Sequence, residues 1–540
     1  MNKDKPWFNR WPNDVPKHLE YPSIALQGIL QQIAERYPVK AAIACEGKEI
    51  TYAMLDSFSN QFAHALIKLG VKKADRVALF LPNIPQFIIA YFGILKAGAV
   101  VTAISPLHRE REVEHQLNDS GAEAIVVLDS LYPIVEKVKE KTRLRMVVVT
   151  SIDEYGHKST TSLSIPNTYS FNEMAEKPAR NPPNVQFDPR KDLAVLQYTG
   201  GTTGTAKGAM LTHTNLVSNA IAFATWIRGK PAEETFLTAL PLFHIYGMTT
   251  SMTVPIYLAA KMVLTSRFEP SKALETIQKQ KVTIFCGVPT MYSVILANPE
   301  LHKYNLTSIR VCISGASPLP PQVQKKFMQI TGGFLAEGYG LTEASPVTHC
   351  NPVDKTMRTV KIGSIGLPLS DTEAKIVDLL TGEKTLAQGE TGELAVKGPQ
   401  IMKGYWSKPK ETALVLIDGW LLTGDIARMD EDGYFYITDR KKDLIKYKDY
   451  SVYPRELEDI LYEHPAVKLC AVVGESDVLA GEVPKAFIVL KEGMATSVEE
   501  IMSFANSKVA PYKAIRKLEF RKELPLSSAG KILRHALTQE

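Results

Sequence analysis

The chain is poor in cysteine. Its five thiols (Cys45, Cys286, Cys312, Cys350 and Cys470) are odd in number, far apart and without any Cys-x-x-Cys spacing. That pattern excludes a disulfide framework and a cysteine-held zinc cluster, and it points to a reducing cytoplasm. A surplus of one charge is also missing: 63 Lys and Arg stand against 58 Asp and Glu, net +5, with no dense basic run. Nucleic acid is therefore not an expected partner. No apolar run reaches membrane length, because the most hydrophobic stretch, Val77 to Ile104, is broken by Pro82, Asn83, Pro85, Gln86 and Lys96. The opening Met-Asn-Lys-Asp-Lys-Pro-Trp has no apolar leader core, so a soluble protein without a transmembrane segment is expected.

What is present is enough for a large enzyme. Hydrophobic residues make up 45% and charged residues 22% of 540 residues, which suits several packed units with substantial cores. Short apolar runs (Ala124 to Leu128, Met146 to Val149, Met262 to Leu264, Val311 to Ile313) alternate with longer amphipathic segments. This is the pattern of buried parallel strands joined by helices, and it predicts a doubly wound α/β body. After about Gly363 the texture changes to closely spaced Gly turns (Thr381-Gly382-Glu383, Gly389 to Gly392, Asp432-Gly433) between short alternating strands, which predicts a small β subdomain, barrel-like, over about 363–438. The polar, basic stretch from Asp439 opens a final α+β segment with strands at Cys470 to Val473 and Ala486 to Leu490 and a helix near Val498 to Val509. The expected division is thus a body over 1–438, a hinge over 439–442 and a mobile C-terminal domain over 443–540.

Chemistry concentrates first in Tyr198-Thr-Gly-Gly-Thr-Thr-Gly-Thr-Ala-Lys-Gly208, which follows the apolar run Leu193 to Leu196. The close glycines Gly200, Gly201 and Gly204 let backbone N–H groups approach an anion, Thr199, Thr202 and Thr203 add hydroxyl donors, and Lys207 adds a positive charge: a phosphate cradle after a strand. It is not a Walker loop, since Lys207 lies between Ala206 and Gly208 rather than before Ser or Thr.

This segment resembles the phosphate loop of the adenylate-forming superfamily, which comprises acyl-CoA synthetases, firefly luciferase-like enzymes and peptide-synthetase adenylation domains. The likeness is strongest to fatty acyl-CoA ligases and extends over nearly the whole chain. Further motifs follow in the family order: Leu240-Pro-Leu-Phe-His-Ile-Tyr-Gly247, Ser314-Gly-Ala-Ser-Pro318, Gly338-Tyr-Gly-Leu-Thr-Glu343, Trp420-Leu-Leu-Thr-Gly-Asp425, Asp439-Arg-Lys-Lys-Asp443 and Pro525-Leu-Ser-Ser-Ala-Gly-Lys531.

The resemblance implies an ATP- and Mg²⁺-dependent ligase that converts a fatty acid to acyl-AMP and pyrophosphate and then passes the acyl group to coenzyme A. A carboxylate is a poor electrophile, and the α-phosphate it must attack is also an anion, so such a site needs concentrated donors and positive charge. By the resemblance Glu343 ligates Mg²⁺, Thr342 donates to the α-phosphate, and Gly315, Ala316 and Ser317 sandwich adenine against Tyr339 within Gly338 to Gly340. Asp425 binds the ribose hydroxyls, and Arg440 holds ribose or phosphate oxygens. His244 lies beside the reacting carboxylate, Lys531 bridges carboxylate and α-phosphate oxygens, and Lys442 is the hinge. Lys446, Lys448, Asp449 and Tyr450 lie where coenzyme A is met.

Amino-acid-activating relatives carry an aspartate in the His244 motif, and none occurs from Phe243 to Met248, which favours an uncharged acyl tail. Ile221, Phe223, Trp226 and Met248 suit either a tail tunnel or ordinary core. Where relatives read Lys-x-x-Gly after the hinge, this chain has Lys446-Tyr-Lys-Asp449. Medium- to long-chain acids are the favoured substrates. An aryl-CoA ligase of the 4-coumarate type, a fatty acyl-AMP ligase and a nucleotide-binding scaffold without catalysis stay open as alternatives, and a homodimer is compatible with all of them.

Overall fold

A computed structural model describes residues 5–155, 165–175, 179–199, 206–354, 357–448, 450–477, 479–526 and 532–538. The chain divides into two compact units, one of Arg10–Glu373 with Lys397–Gly419, the other of Met1–Asn9, Ala374–Val396 and Trp420–Glu540.

Two sheets form the first unit. In the seven-stranded sheet the order is Tyr169–Ser170, Met146–Thr150, Ala124–Leu128, Arg76–Phe80, Val100–Ala103, Leu193–Thr199 and Lys207–Thr212. Its pairs are parallel except the last, where Thr199 stands opposite Lys207 in an antiparallel hairpin. The nine-stranded sheet runs Leu367–Pro368, Val347–Cys350, Phe334–Gly340, Val311–Ser314, Ile284–Gly287, Thr235–Thr238, Lys261–Leu264, Ala41–Cys45 and Lys48–Thr51. The runs Ala124–Leu128, Ile284–Gly287 and Val311–Ser314 are buried at every position, as strands covered by helices on both faces must be.

The stretch from Val77 to Ile104 resolves into strand, helix and strand. Its helix, Pro85–Lys96, starts with proline, whose missing N–H costs nothing there, and is buried at all twelve positions. No helix among the described residues is long and apolar enough to cross a membrane. Lys96 is only 2% exposed. Its ammonium donates to Asp56 Oδ1 at 2.6 Å, Ser59 Oγ at 2.8 Å and Asn60 Oδ1 at 2.6 Å, so every proton of the buried charge is accepted. Burial, only partly offset by Asp56, pulls its pKa down to about 8.

Asn83 joins the two sheets of this unit: its amide donates to Leu240 O at 2.8 Å, and its carbonyl accepts Leu242 N–H at 2.8 Å. The turn that carries His244 is thereby tied to the end of the strand Arg76–Phe80.

In the second unit Thr391–Lys397, Trp420–Met429 and Phe435–Arg440 pair antiparallel. The final segment forms its own sheet, in the order Tyr450–Val452, Ile445–Tyr447, Gly481–Leu490 and Val467–Asp477, with Lys517–Phe520 beside Gly481–Leu490. Its helices include Pro454–Tyr462 and Val498–Asn506. This unit joins β strands that the sequence reading assigns to the body with the C-terminal segment. One physical link is Asp439, which closes a strand and accepts Arg455 N–H from the first turn of the helix Pro454–Tyr462 at 2.8 Å. Within the final segment Arg534 reaches Asp443 at 2.9 Å and Glu458 at 2.6 Å.

Candidate active site

In the first unit the 315–317 turn and Gly338 to Gly340 stand at the carboxyl ends of two neighbouring parallel strands, where open α/β sheets bind ligands. Val311–Ser314 and Phe334–Gly340 are in register with Ser314 opposite Glu337, so Gly315, Ala316 and Ser317 continue beside Gly338, Tyr339 and Gly340. A β-carbon on Gly315 would lie 3.1 Å from the ring of Tyr246. The Tyr246 hydroxyl donates to Ile313 O at 2.9 Å and props this turn from below. Ala316 has φ +73, an uncommon conformation for a residue with a β-carbon. Gly340 ends its strand at a reversal so tight that a β-carbon would sit 2.1 Å from Pro346 O. Thr342 and Glu343 follow in the short 3-10 turn Thr342–Ala344, both half-buried.

The anchors of the phosphate loop are fixed from outside it. Tyr198 Oη donates to Asp119 at 2.6 Å, and His115 Nε2–H donates to Ala206 O at 3.2 Å. One helix, Glu110–Ser120, thus holds the residue just before Thr199 and the residue just before Lys207. Gly200, Gly201, Thr202, Thr203 and Gly204 lie outside the described residues. The hairpin registers Lys207 against Thr199, and Lys207 Nζ stands 5.4 Å from the centroid of the Tyr405 ring. The hydroxyl of that tyrosine donates to Glu343 Oε1 at 2.7 Å. Burial first, and then the Glu343 charge, push the Tyr405 phenol far above its ordinary pKa. It remains a protonated donor at any physiological pH.

His244 caps the helix Ile245–Met248, with Nδ1 accepting Tyr246 N–H at 3.2 Å. That bond leaves the proton of the neutral ring on Nε2. Gln197 holds the same turn, donating to Phe243 O at 3.0 Å. Ile221, Phe223, Trp226 and Met248 are all buried. Trp226 is engaged in core contacts, edge-on to Trp11 at 5.0 Å and donating to Asn351 O at 3.2 Å.

In the second unit Asp425 and Arg440 are opposite each other across an antiparallel pair, with Arg440 Nε 3.0 Å from Asp425 Oδ1. Asp425 is 4% exposed. Glu393 orders the approach to it by accepting Gly424 N–H at 2.9 Å and Lys441 Nζ at 2.8 Å. Lys442 stands 3.8 Å from Asp443, and burial lowers its pKa. Lys446 and Lys448 are exposed around a hairpin in which Tyr447 pairs with Tyr450. Lys448 takes the left-handed conformation, φ +52, and Tyr450 stacks on Tyr512 at 4.5 Å. Asp449 and Lys531 lie outside the described residues. Leu526 and Ile532, on either side of the segment that contains Lys531, form an antiparallel bridge.

Sequence reasoning missed Tyr405, Tyr246, Gln197, His115 and Asp119. Tyr246 lies inside the Leu240 to Gly247 motif without a role assigned to it, the other four sit outside the motifs' named positions, and the partners of each are distant in sequence. The Gly-Tyr-Trp at 404–406 is the one local signal, because a glycine before paired aromatics marks a close backbone approach.

One unit thus carries a lysine and a half-buried carboxylate joined through Tyr405, and the other carries a cross-strand Asp–Arg pair; these are groups suited to an enzyme that binds a nucleoside phosphate. Residues 30–406 match the family model described as AMP-binding enzyme, and residues 456–531 match that of the AMP-binding enzyme C-terminal domain. The chain is 44% identical to a long-chain-fatty-acid–CoA ligase of Bacillus subtilis, covering 100% of this chain and 99% of that protein. It is 38% identical to one from Salmonella typhimurium, covering 99% and 98%. Among solved structures, ATP-bound MatB from Rhodopseudomonas palustris superposes with a TM-score of 0.85 at 28% identity, over 96% of this chain and 99% of that one. The protein belongs to the AMP-binding, adenylate-forming enzyme family.

Proposed function

We propose that the protein activates medium- to long-chain fatty acids, with the residue roles set out below. It is an AMP-forming acid–thiol ligase, a fatty acyl-CoA synthetase. In the first half-reaction a carboxylate oxygen attacks the α-phosphate of ATP, forming acyl-AMP as the bond to pyrophosphate breaks. In the second, the thiolate of coenzyme A attacks the acyl carbon and AMP leaves with the carboxyl oxygen.

The observation that supports this reading is that Tyr405 contacts both Lys207 and Glu343 within one unit, with Thr342 beside Glu343 and the 315–317 turn at the end of the strand paired with Phe334–Gly340. Lys207 and the loop before it neutralise the β- and γ-phosphates, so that pyrophosphate departs from a donor-rich cradle. The Thr342 hydroxyl donates to the α-phosphate. His244, with its proton on Nε2, donates to the carboxylate and orients it for in-line attack. Among the described residues no three His, Cys, Asp or Glu side chains cluster as a metal cage. Glu343 is a single half-buried carboxylate with one oxygen already hydrogen-bonded. That donor set fits Mg²⁺, which keeps several waters and takes one or two carboxylates plus substrate phosphates. When bound, the ion would screen the phosphate charge that repels the incoming carboxylate. Asp425 is assigned to the ribose hydroxyls, Arg440 to ribose or phosphate oxygens and Lys531 to the oxygens of carboxylate and α-phosphate. Lys442 is the proposed hinge about which residues 443–540 turn, bringing Lys446, Lys448, Asp449 and Tyr450 to coenzyme A for the second half-reaction.

ATP–pyrophosphate exchange tests this, with acetate, octanoate, palmitate and 4-coumarate as acids and CoA-dependent AMP release measured on the best of them. Exchange with octanoate or palmitate plus CoA-dependent AMP release is the expected result. Best exchange with 4-coumarate would move the protein to the aryl-CoA ligases. Exchange without CoA turnover would make it an acyl-AMP ligase, and no exchange with any acid would leave the non-catalytic scaffold.

A further inference from the structure

Lys207 and Glu343 present a physical difficulty. Both are needed at one phosphate site, they carry opposite charges, and both are half-buried, where attraction is much stronger than in water. Left to themselves they would collapse onto each other and cancel the field that the phosphates require. No ion pair joins them among the described residues, and Tyr405 contacts both: its ring lies 5.4 Å from the Lys207 ammonium while its hydroxyl donates to Glu343 Oε1 at 2.7 Å.

The backbone holds this tyrosine rigidly. The segment 403–406 runs along the outer edge of the strand Lys207–Thr212. Lys403 N–H donates to Met210 O at 2.9 Å, Met210 N–H to Gly404 O at 2.9 Å, and Trp406 N–H to Gly208 O at 2.8 Å. Tyr405 itself bridges Ala209. The turn that bears Glu343 is tied to the same segment, since Met402 N–H donates to Glu343 O at 2.8 Å. Tyr405 N–H in turn donates to Thr412 Oγ1 at 2.9 Å. Tyrosine is suited to this place, because an aromatic face accepts a cation without neutralising it and the phenol donates to a carboxylate without protonating it.

We infer that Tyr405 is a positioning residue for the metal–nucleotide complex, one that keeps Lys207 and Glu343 apart and turns the second carboxylate oxygen of Glu343 toward the metal. The inference rests on the roles proposed above for Lys207 and Glu343. Its two halves separate by substitution: Tyr405→Phe keeps the ring beneath Lys207 and removes the bond to Glu343, whereas Tyr405→Leu removes both.

Calorimetric titration of the full-length protein with ATP at a series of Mg²⁺ concentrations provides the test. For Tyr405→Phe the Mg²⁺ concentration giving half-maximal ATP binding should rise about tenfold, the worth of one hydrogen bond to a charged group, while ATP affinity at saturating Mg²⁺ changes less than about twofold. Tyr405→Leu should in addition weaken ATP binding at saturating Mg²⁺. In a Glu343→Gln background Tyr405→Phe should add no further shift in Mg²⁺ dependence, an outcome that a merely structural role would not produce. If Glu343→Gln moves the Mg²⁺ dependence and Tyr405→Phe does not, or if their effects simply add, the role of Tyr405 is overturned and that of Glu343 stands. If Glu343→Gln leaves Mg²⁺ dependence unchanged, the assignment of Glu343 fails and takes the role of Tyr405 with it.

Discussion

Gly340 has no room for a side chain. A β-carbon there would stand 2.1 Å from Pro346 O, a backbone atom that cannot swing aside. Gly340→Ala should therefore displace the turn that carries Thr342 and Glu343 while costing only about 1–3 kcal/mol of stability, the usual penalty of overpacking. Because a displacement of about 1 Å at a reacting centre can cost 10²-fold, pyrophosphate exchange should fall roughly a hundredfold with the circular dichroism spectrum unchanged. An exchange rate within about threefold of wild type would show that the turn absorbs the β-carbon elsewhere. The motif Gly338 to Glu343 was legible in the sequence as a string, but the demand for glycine at 340 was not, since it comes from the chain reversing upon itself at Pro346.

At the scale of elements, the packing of buried charge decides more than helix or strand propensity. Lys96 reads in the sequence as a polar break in an apolar run. In the fold it is an interior cation, and the helix Tyr52–Lys68 supplies its acceptors Asp56, Ser59 and Asn60. Asp56→Ala would leave that charge uncompensated and should destabilise the protein by about 3–5 kcal/mol, read as a lower denaturation midpoint. Asp56→Asn keeps a hydrogen-bonding oxygen and should cost less.

Asp439 shows the same principle with the opposite sign. Burial lifts its carboxyl pKa to about 6, although Arg440 N–H and Arg455 N–H both donate to it. An acid whose folded pKa exceeds its unfolded value of about 3.9 takes up a proton on folding, so its stabilising contribution is lost as pH rises through 6. Thermal unfolding of Asp439→Asn should accordingly depend less on pH between about 4 and 6 than that of wild type. An identical pH profile for the two proteins would contradict the assignment.

For the whole molecule, the sensitive point is the passage from adenylation to thioester formation. Asp449 replaces a glycine expected in the loop after Lys442, putting a β-carbon and a negative charge near the proposed path of coenzyme A. Asp449→Gly should raise CoA-dependent AMP release and leave pyrophosphate exchange unchanged; equal or lower CoA turnover would count against the proposal. Lys448, beside it, already holds φ +52, the left-handed backbone that such a two-residue hairpin requires.

The amino-acid sequence by itself determined the α/β class, the positions of several buried strands and the family, because buried parallel strands are written as continuous apolar runs and the phosphate, adenine and ribose motifs are contiguous in the chain. The resemblance assigns Asp425 to the ribose hydroxyls and Arg440 to ribose or phosphate oxygens, and the fold sets the two residues opposite each other across an antiparallel pair. Only the tertiary structure decided which distant residues meet the site: Tyr405 against both Lys207 and Glu343, the helix Glu110–Ser120 holding Tyr198 and Ala206, and Asn83 and Gln197 fixing the turn of His244. Each of these acts on a partner at least 46 residues away in the chain. A spacing rule finds neighbours along the backbone, whereas these contacts exist only after strands from different parts of the chain have been laid side by side.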